Sequence, residues 1–90
     1  MPAPKLRIPD DVATVARHMH PQLKQKIRAA LATIQTNPEA GKPLKEELAG
    51  LRSFRVNRFR VIYQITEGAL EIVAIGPRPT IYEETLRLIR

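Results

Sequence analysis

The chain has 90 residues, of which 43% are hydrophobic and 27% are charged, and its formal net charge is +6. This length fits one domain, residues 1–90, with a single core, and the composition excludes a disordered tail. The lack of cysteine excludes a disulfide framework and thiolate metal sites. Residues 1–9 lack the apolar stretch of a signal peptide, and no run approaches the roughly 20 apolar residues of a membrane span. We therefore expect a soluble, cytoplasmic protein.

The first elements predicted are a short strand and a helix. Residues 6–8 could form an edge strand. Asp10 and Asp11 then offer an N-cap and favourable negative charge for a helix. Apolar residues recur along it at helical spacing. They are Val12, Val15, Ala16 and Met19. This helix should stop near His20, because a residue that precedes a proline disfavours helical geometry.

A second helix is predicted from Pro21 to Asn37-Pro38, because proline suits the first turn of a helix. It has one apolar stripe. The stripe consists of Leu23, Ile27, Ala30, Leu31 and Ile34. The two helices should therefore form a hairpin. A loop follows, with a possible helical turn at residues 45–48 that is closed by Gly50.

After Gly50 the pattern changes to strands, predicted at residues 52–56, 59–65 and 70–75. Short connections imply an antiparallel meander. Gly76-Pro77 should end the third strand, and a terminal helix follows. Its apolar face consists of Ile81, Thr85, Leu88 and Ile89. The predicted fold class is α+β: a strand and a helical hairpin packed on a small antiparallel sheet, with a short C-terminal helix and with the helices covering one side.

A two-residue turn at Asn57-Arg58 would fix the register of the first two long strands. It places Val56 opposite Phe59 and Arg55 opposite Arg60. The apolar residues then share one face, and the arginines meet on the other. Like charges placed opposite each other destabilise a strand pair by about 0.2–1 kcal/mol unless an anion lies between them. Either the two arginines splay into water or they hold a phosphate group.

Further candidates surround this pair. The stretch from residue 52 to residue 60 contains Arg52, Asn57 and Arg58 and no acidic residue. Arg78 follows the third strand and could reach the same face. One guanidinium group can bind two phosphate oxygens at once through two parallel hydrogen bonds. Tyr82 could be a core aromatic, or a platform on which a base stacks and whose hydroxyl donates or accepts a proton.

Other chemistries have weaker support. His18 and His20 are two residues apart on a helix, so they point in different directions, and capping or exposed positions are expected for them. The four glycines are interpreted as turn residues and not as a phosphate loop. Ser53 is the only serine and lacks a nucleophile-elbow motif. We therefore expect no metal site and no cofactor.

Several segments occur in a fixed order from about Pro21 to the C-terminus. They are His20-Pro21 with Leu23-Lys24, Asn37-Pro38 with Gly41-Lys42-Pro43-Leu44, Leu48-Ala49-Gly50-Leu51-Arg52-Ser53-Phe54-Arg55-Val56, Phe59-Arg60-Val61-Ile62-Tyr63, and Ile72-Val73-Ala74-Ile75-Gly76-Pro77-Arg78 followed by Ile81-Tyr82-Glu83-Glu84. In order and spacing the chain resembles the RelE/ParE family of bacterial toxins from type II toxin–antitoxin systems, RelE more than ParE. The resemblance implies a helical hairpin on an antiparallel sheet.

RelE-like members are ribosome-dependent endoribonucleases that cut messenger RNA and inhibit translation, whereas ParE-like members poison DNA gyrase. The first resemblance implies an mRNA interferase with two groups of site residues. The catalytic residues would be Arg60, Arg78 and Tyr82, and the RNA-binding residues Arg55, Asn57, Arg58 and Arg52. The sequence departs from the family at Asn57, where a second basic residue is expected, and at Pro77, where many relatives have histidine or lysine.

The resemblance also implies partners: a cognate antitoxin, the ribosome and messenger RNA, with no membrane and no small-molecule cofactor. The reaction would be attack of a ribose 2′-OH on the adjacent phosphodiester. Residues 50–90 contain no histidine, lysine or aspartate, so Tyr82 is the remaining candidate for the general base. Two alternatives stay open, a non-catalytic inhibitor of DNA gyrase and an inactive toxin-like domain that binds an antitoxin.

Overall fold

The computed structural model describes residues 5–89. Residues 1–4, which belong to the stretch considered for a signal peptide, and Arg90 lie outside this range. The described helices and strands, in chain order, are β1 (Lys5–Arg7), α1 (Asp10–Arg17), α2 (Pro21–Thr36), β2 (Lys42–Pro43), β3 (Leu51–Val56), β4 (Phe59–Thr66), β5 (Ala69–Pro77) and α3 (Arg78–Ile89), with short 3₁₀ helices at Pro38–Ala40 and Glu46–Leu48. These elements confirm the predicted α+β class. Within residues 5–89 no helix combines the length and the apolar character needed to cross a membrane.

The helical hairpin forms as predicted but with different ends. Pro9 occupies the N-cap of α1, so Asp10 and Asp11 lie in its first turn. Their negative charge there still stabilises the helix through its dipole. The helix ends at Arg17, before the predicted His20. His20 instead caps α2, because its Nδ1 accepts a hydrogen bond of 3.2 Å from the backbone N–H of Gln22. The capping interpretation of this histidine is confirmed.

One five-stranded sheet has the order β1-β5-β4-β3-β2. Strands β3 to β5 pair antiparallel, as predicted for the meander. Strand β2, which lies where a loop was expected, pairs antiparallel with β3, and β1 pairs parallel to β5, so the sheet is mixed. The predicted register of the β3–β4 hairpin is confirmed, with Val56 opposite Phe59 and Arg55 opposite Arg60. Asn57 adopts the left-handed φ of 55° that the tight turn requires. Arg58 is not among the described residues with a positive φ, so the second turn position does not need the glycine that was preferred there.

The third long strand differs from its prediction at both ends. It begins at Ala69 and extends through Gly76-Pro77, and α3 follows directly at Arg78. Pro77 is accommodated because it forms the last pair of the ladder, opposite Phe59. A β-bulge next to the Ile62/Tyr63 step adds one residue to β5. The strand therefore ends at Gly76-Pro77 as predicted, but it includes both residues instead of stopping at residue 75.

The two faces of the sheet carry separate hydrophobic clusters. The hairpin cluster joins α1 and α2 to the face that bears Val56, Val61 and Tyr63. The second cluster, on the opposite face, contains Leu51, Ile62, Ala74 and Ile81. α3 therefore covers the face opposite the hairpin, and the prediction that the helices share one side was wrong for α3. Two-sided burial explains why Val61, Ile62 and Tyr63 are consecutive apolar residues.

The terminal helix is fixed to the sheet through its first half. Ile81 and Thr85 are buried, as predicted for its apolar face. Leu88 and Ile89, predicted to share that face, are 58% and 46% exposed. Gly76 permits the close approach, since a Cβ at this position would lie 2.8 Å from Cδ1 of Ile81. Gly76 is thus a packing residue and not the turn residue expected from the sequence.

Candidate nucleic-acid interface at the β3–β4 turn

The centre of the candidate site is the arginine pair at the end of the β3–β4 hairpin. Arg55 is exposed and Arg60 is half-buried. The two are direct cross-strand partners, and they lie on the sheet face opposite the helices α1 and α2 and their hairpin cluster. On its other side Arg60 pairs with Gly76 of β5, which has no side chain. Arg60 therefore lies between one arginine and one position without a side chain.

Arg78 joins this region through the backbone. Its N–H donates a hydrogen bond of 2.9 Å to the carbonyl of Arg58, which ties the start of α3 to the β3–β4 turn. A shallow depression of about 210 Å³ lies between the two segments. Its lining residues are Arg55, Asn57, Arg58, Arg78 and Pro79. Three guanidinium-bearing residues thus border one depression at the positive end of a helix dipole, an arrangement suited to a phosphate group.

The turn itself orients one member of this group. Nε of Arg55 donates a hydrogen bond of 3.2 Å to the carbonyl of Asn57. Since this contact uses one of the five N–H donors of the guanidinium, the terminal amino groups remain available for an anion. Asn57 serves the turn through its backbone conformation, and its side chain borders the same depression.

Tyr82 lies on α3 and its hydroxyl reaches β3. The phenol oxygen is 3.1 Å from Oγ of Ser53, a hydrogen-bonding distance. The ring is half-buried and packs against the cluster of Leu51 and Ile81. Tyr82 borders a second cavity of about 220 Å³ beside Glu46–Leu48, and it does not line the arginine depression. The tyrosine thus combines core packing with an accessible edge.

Arg52 is not brought together with the other arginines. It pairs with Tyr63 and so points to the hairpin side of the sheet. Its guanidinium donates hydrogen bonds to two carbonyl oxygens of the loop after α2, at 2.7 Å to Gly41 and 3.3 Å to Glu39. Strand alternation separates Arg52 from Arg55 by face, and this signal was available in the sequence. The contacts that Arg52 makes hold the loop.

A buried tyrosine network on the hairpin side was missed by the sequence analysis. The hydroxyl of Tyr63 donates to the carbonyl of Pro38 at 2.6 Å and accepts from the N–H of Gly41 at 2.8 Å. A Cβ at Gly41 would lie 2.7 Å from the ring, so this glycine is needed for close approach. Burial raises the pKa of Tyr63, and the Gly41 hydrogen bond and the charge of Arg52 oppose that rise. The signal was an inward-facing tyrosine, which must find a partner for its hydroxyl.

Comparison with known proteins gives a consistent set of relatives. The sequence model of one protein family, the ParE toxin of type II toxin–antitoxin systems, parDE, matches residues 7–82. The toxin RelE of Mycobacterium tuberculosis is 38% identical over 78 residues, which cover 78% of this chain and 79% of that protein. The range matched by the family model, residues 7–82, includes both strands of the arginine pair, Arg78 and Tyr82.

Solved structures share the fold at lower identity. A mutant of the Escherichia coli toxin RelE in the free state has a TM-score of 0.78 at 18% identity, covering 98% of this chain and 99% of that one. The toxin–antitoxin complex RelBE2 from Mycobacterium tuberculosis has a TM-score of 0.75 at 24% identity, covering 87% and 94%. These solved structures confirm the architecture. The family model and the toxin RelE of Mycobacterium tuberculosis show that the amino-acid sequence is similar as well. The chain therefore belongs to the RelE/ParE family, the toxins of type II toxin–antitoxin systems.

Proposed function

We propose that this toxin is a ribosome-dependent endoribonuclease that cleaves messenger RNA and so inhibits translation in the cytoplasm. The observation that carries the proposal is the convergence of Arg55, Arg58 and Arg78 on one depression, beside the cross-strand partner Arg60. Guanidinium groups in this arrangement can bind a phosphodiester and neutralise the charge that grows on it. The name of the relative, toxin RelE, supports the same class.

The reaction would begin with attack of a ribose 2′-OH on the adjacent phosphorus. The P–O5′ bond breaks as the new P–O2′ bond forms, which leaves a 2′,3′-cyclic phosphate and a 5′-OH. Arg60 and Arg78 would stabilise the developing charge, a contribution worth about 10²–10³ in rate for one well-placed donor. Three residues would hold the RNA backbone: Arg55, Asn57 and Arg58. Arg52 lies on the other face of the sheet and would attract RNA only at longer range, through its positive charge.

Proton transfer is the demanding step for this site. The 2′-OH must lose a proton and the 5′ oxygen must gain one, while arginine stays protonated at neutral pH. Residues 50–90 offer no histidine, lysine or aspartate, so the phenol of Tyr82 is proposed to mediate the transfer. Alignment of the RNA by the ribosome would reduce what the protein must supply, because positioning alone lowers the barrier. Free RNA should therefore be cut poorly.

The test is to map cleavage of messenger RNA on purified ribosomes by the wild type and two site variants, Arg60→Ala and Tyr82→Phe. Both variants should cut at least about 10²-fold more slowly. Arg28→Ala is the matched control, because Arg28 is an exposed arginine of α2 that lines no part of the depression. Unchanged cutting by both site variants would refute the residue assignment.

A second candidate function is inhibition of DNA gyrase, and the match to the ParE toxin model favours it. On this alternative the basic depression would bind a protein or DNA–protein target without catalysis. Gyrase-dependent DNA breaks in the absence of messenger RNA cleavage would support it. A toxin domain that has lost both activities would cause no growth arrest when expressed alone.

We also propose that residues 1–90 act as one toxin domain whose partner is a cognate antitoxin. Several solved structures of similar fold are toxin–antitoxin complexes, among them RelE–RelB from Pyrococcus horikoshii, with a TM-score of 0.69 at 19% identity and coverage of 84% of this chain and 96% of that one. The excess of positive charge favours an acidic partner segment. Rescue of growth arrest by coexpression of the neighbouring gene would test this partnership.

A further inference from the structure

We propose that Ser53 is a positioning residue for the active site, because its hydroxyl fixes the phenol of Tyr82 against β3. This inference rests on the proposed nuclease function and adds a residue to it. The contact on which it depends is the distance of 3.1 Å between Oγ of Ser53 and the hydroxyl oxygen of Tyr82. No other serine occurs in the chain.

The surroundings of Ser53 make this contact significant. Ser53 is only 3% exposed, and its cross-strand partner is Ile62 of the second cluster. A buried hydroxyl without a hydrogen bond is costly, and among the described residues no buried side-chain nitrogen or oxygen lacks a partner. Alanine or valine at this strand position would fill the cluster without that requirement. The polar residue therefore has a specific partner, Tyr82, on the neighbouring helix.

The contact also links Tyr82 to the arginine site. Ser53 and Arg55 are two residues apart on β3 and face the same side, so their Cα atoms are about 6.6 Å apart from the rise of a strand. The backbone of α3 is fixed nearby by buried Ile81, but the phenol oxygen lies at the far end of a rotatable side chain. A hydrogen bond at that oxygen restricts the ring to one orientation relative to the strand that carries Arg55.

A purely structural role for Ser53 would be to latch α3 to the sheet. In that case removal of the hydroxyl would loosen the helix and affect every property of the site together. In the positioning role the loss acts through the Tyr82 hydroxyl alone. The two roles therefore differ in breadth: loss of a latch lowers the free energy of unfolding and raises KM together with the loss of rate, whereas loss of positioning lowers the rate with little change in the other two.

The first test is a double-mutant cycle on ribosome-bound messenger RNA with Ser53→Ala, Tyr82→Phe and the combined variant. We expect Ser53→Ala to lower the single-turnover rate by about 10- to 100-fold with little change in KM, as expected for a misplaced catalytic group. The combined variant should be no slower than Tyr82→Phe, and Ser53→Thr, which keeps a hydroxyl, should restore most of the rate. An unaffected rate in Ser53→Ala, or a combined loss equal to the product of the two single losses, would overturn the inference.

The second test does not depend on activity. Tyrosine labelled with ¹³C at Cζ gives signals from Tyr63 and Tyr82 alone, and Tyr63→Phe assigns them. Ser53→Ala should shift the Tyr82 signal and leave that of Tyr63, whose hydroxyl has other partners. If the wild type fails to cleave ribosome-bound RNA, the proposed function fails. If the wild type cleaves but Ser53→Ala changes neither the rate nor the signal, the inference about Ser53 fails and the function stands.

Discussion

Arg55 lies directly across the β3–β4 ladder from Arg60, so two positive side chains share one cross-strand position. Such a pair opposes folding and favours an anion. We expect Arg55→Gln to raise the free energy of unfolding by about 0.2–1 kcal/mol, since it removes the repulsion. Urea denaturation at low and high salt checks this, because salt screens exposed charges and should reduce the gain. Arg28→Gln is the control, and an equal gain there would assign the effect to net charge.

The turn residue Asn57 can be tested separately for its two roles. Asn57→Gly should keep the free energy of unfolding within about 0.5 kcal/mol, because glycine accepts the left-handed φ of 55°. Asn57→Val should lose about 1–2 kcal/mol at the same backbone conformation. If the amide contacts RNA as proposed, Asn57→Gly also slows cleavage despite intact folding. Unchanged cleavage would limit Asn57 to the turn.

Removal of the Tyr63 hydroxyl should destabilise the fold. Tyr63→Phe leaves the carbonyl of Pro38 and the N–H of Gly41 without their partner, and an unsatisfied buried group costs about 1–3 kcal/mol. Chemical denaturation measures the loss. Gly41→Ala should destabilise through the same contact, because its Cβ would meet the Tyr63 ring. A stable Gly41→Ala protein would contradict the close approach.

Alkaline pH should weaken the wild type through the same residue. Because burial raises the pKa of Tyr63 above its ordinary value of 10.0, the folded state resists loss of this proton. The contribution of Tyr63 is fully present below pH 10.0 and is lost as the pH rises towards the folded-state pKa. The free energy of unfolding should therefore fall more steeply above pH 10.0 in the wild type than in Tyr63→Phe. Parallel curves for the two proteins would refute this.

Local patterns predicted most of the fold. The register of β3 and β4 followed from strand alternation and a two-residue turn, and α2 followed from its apolar stripe and the proline at its start. The side of the sheet on which α3 packs was beyond this reasoning, because it depends on contacts between Ile81 and a distant strand. The consecutive apolar residues Val61 and Ile62 indicated only that both faces of β4 are covered, since a strand buried on both faces shows no alternation.

The candidate site was predictable to a similar extent. Arg55 and Arg60 were placed together by register, and that pairing is confirmed. The Ser53–Tyr82 contact was not predicted, because it joins residues 29 positions apart and requires the docking of α3. Arg52 was grouped with the other arginines by charge alone, although its position in the strand alternation places it on the other face. Charge patterns identify a region, whereas backbone geometry decides which side chains meet.

The partial attachment of α3 has a dynamic consequence. Ile81 and Thr85 are buried, whereas Leu88 and Ile89 are 58% and 46% exposed. Opening of the last helical turn therefore exposes little additional apolar surface and should cost far less than global unfolding. Amide hydrogens of residues 86–89 should exchange with solvent earlier than those of residues 82–85. The helix would then open from its C-terminal end while the turn that carries Tyr82 stays in place.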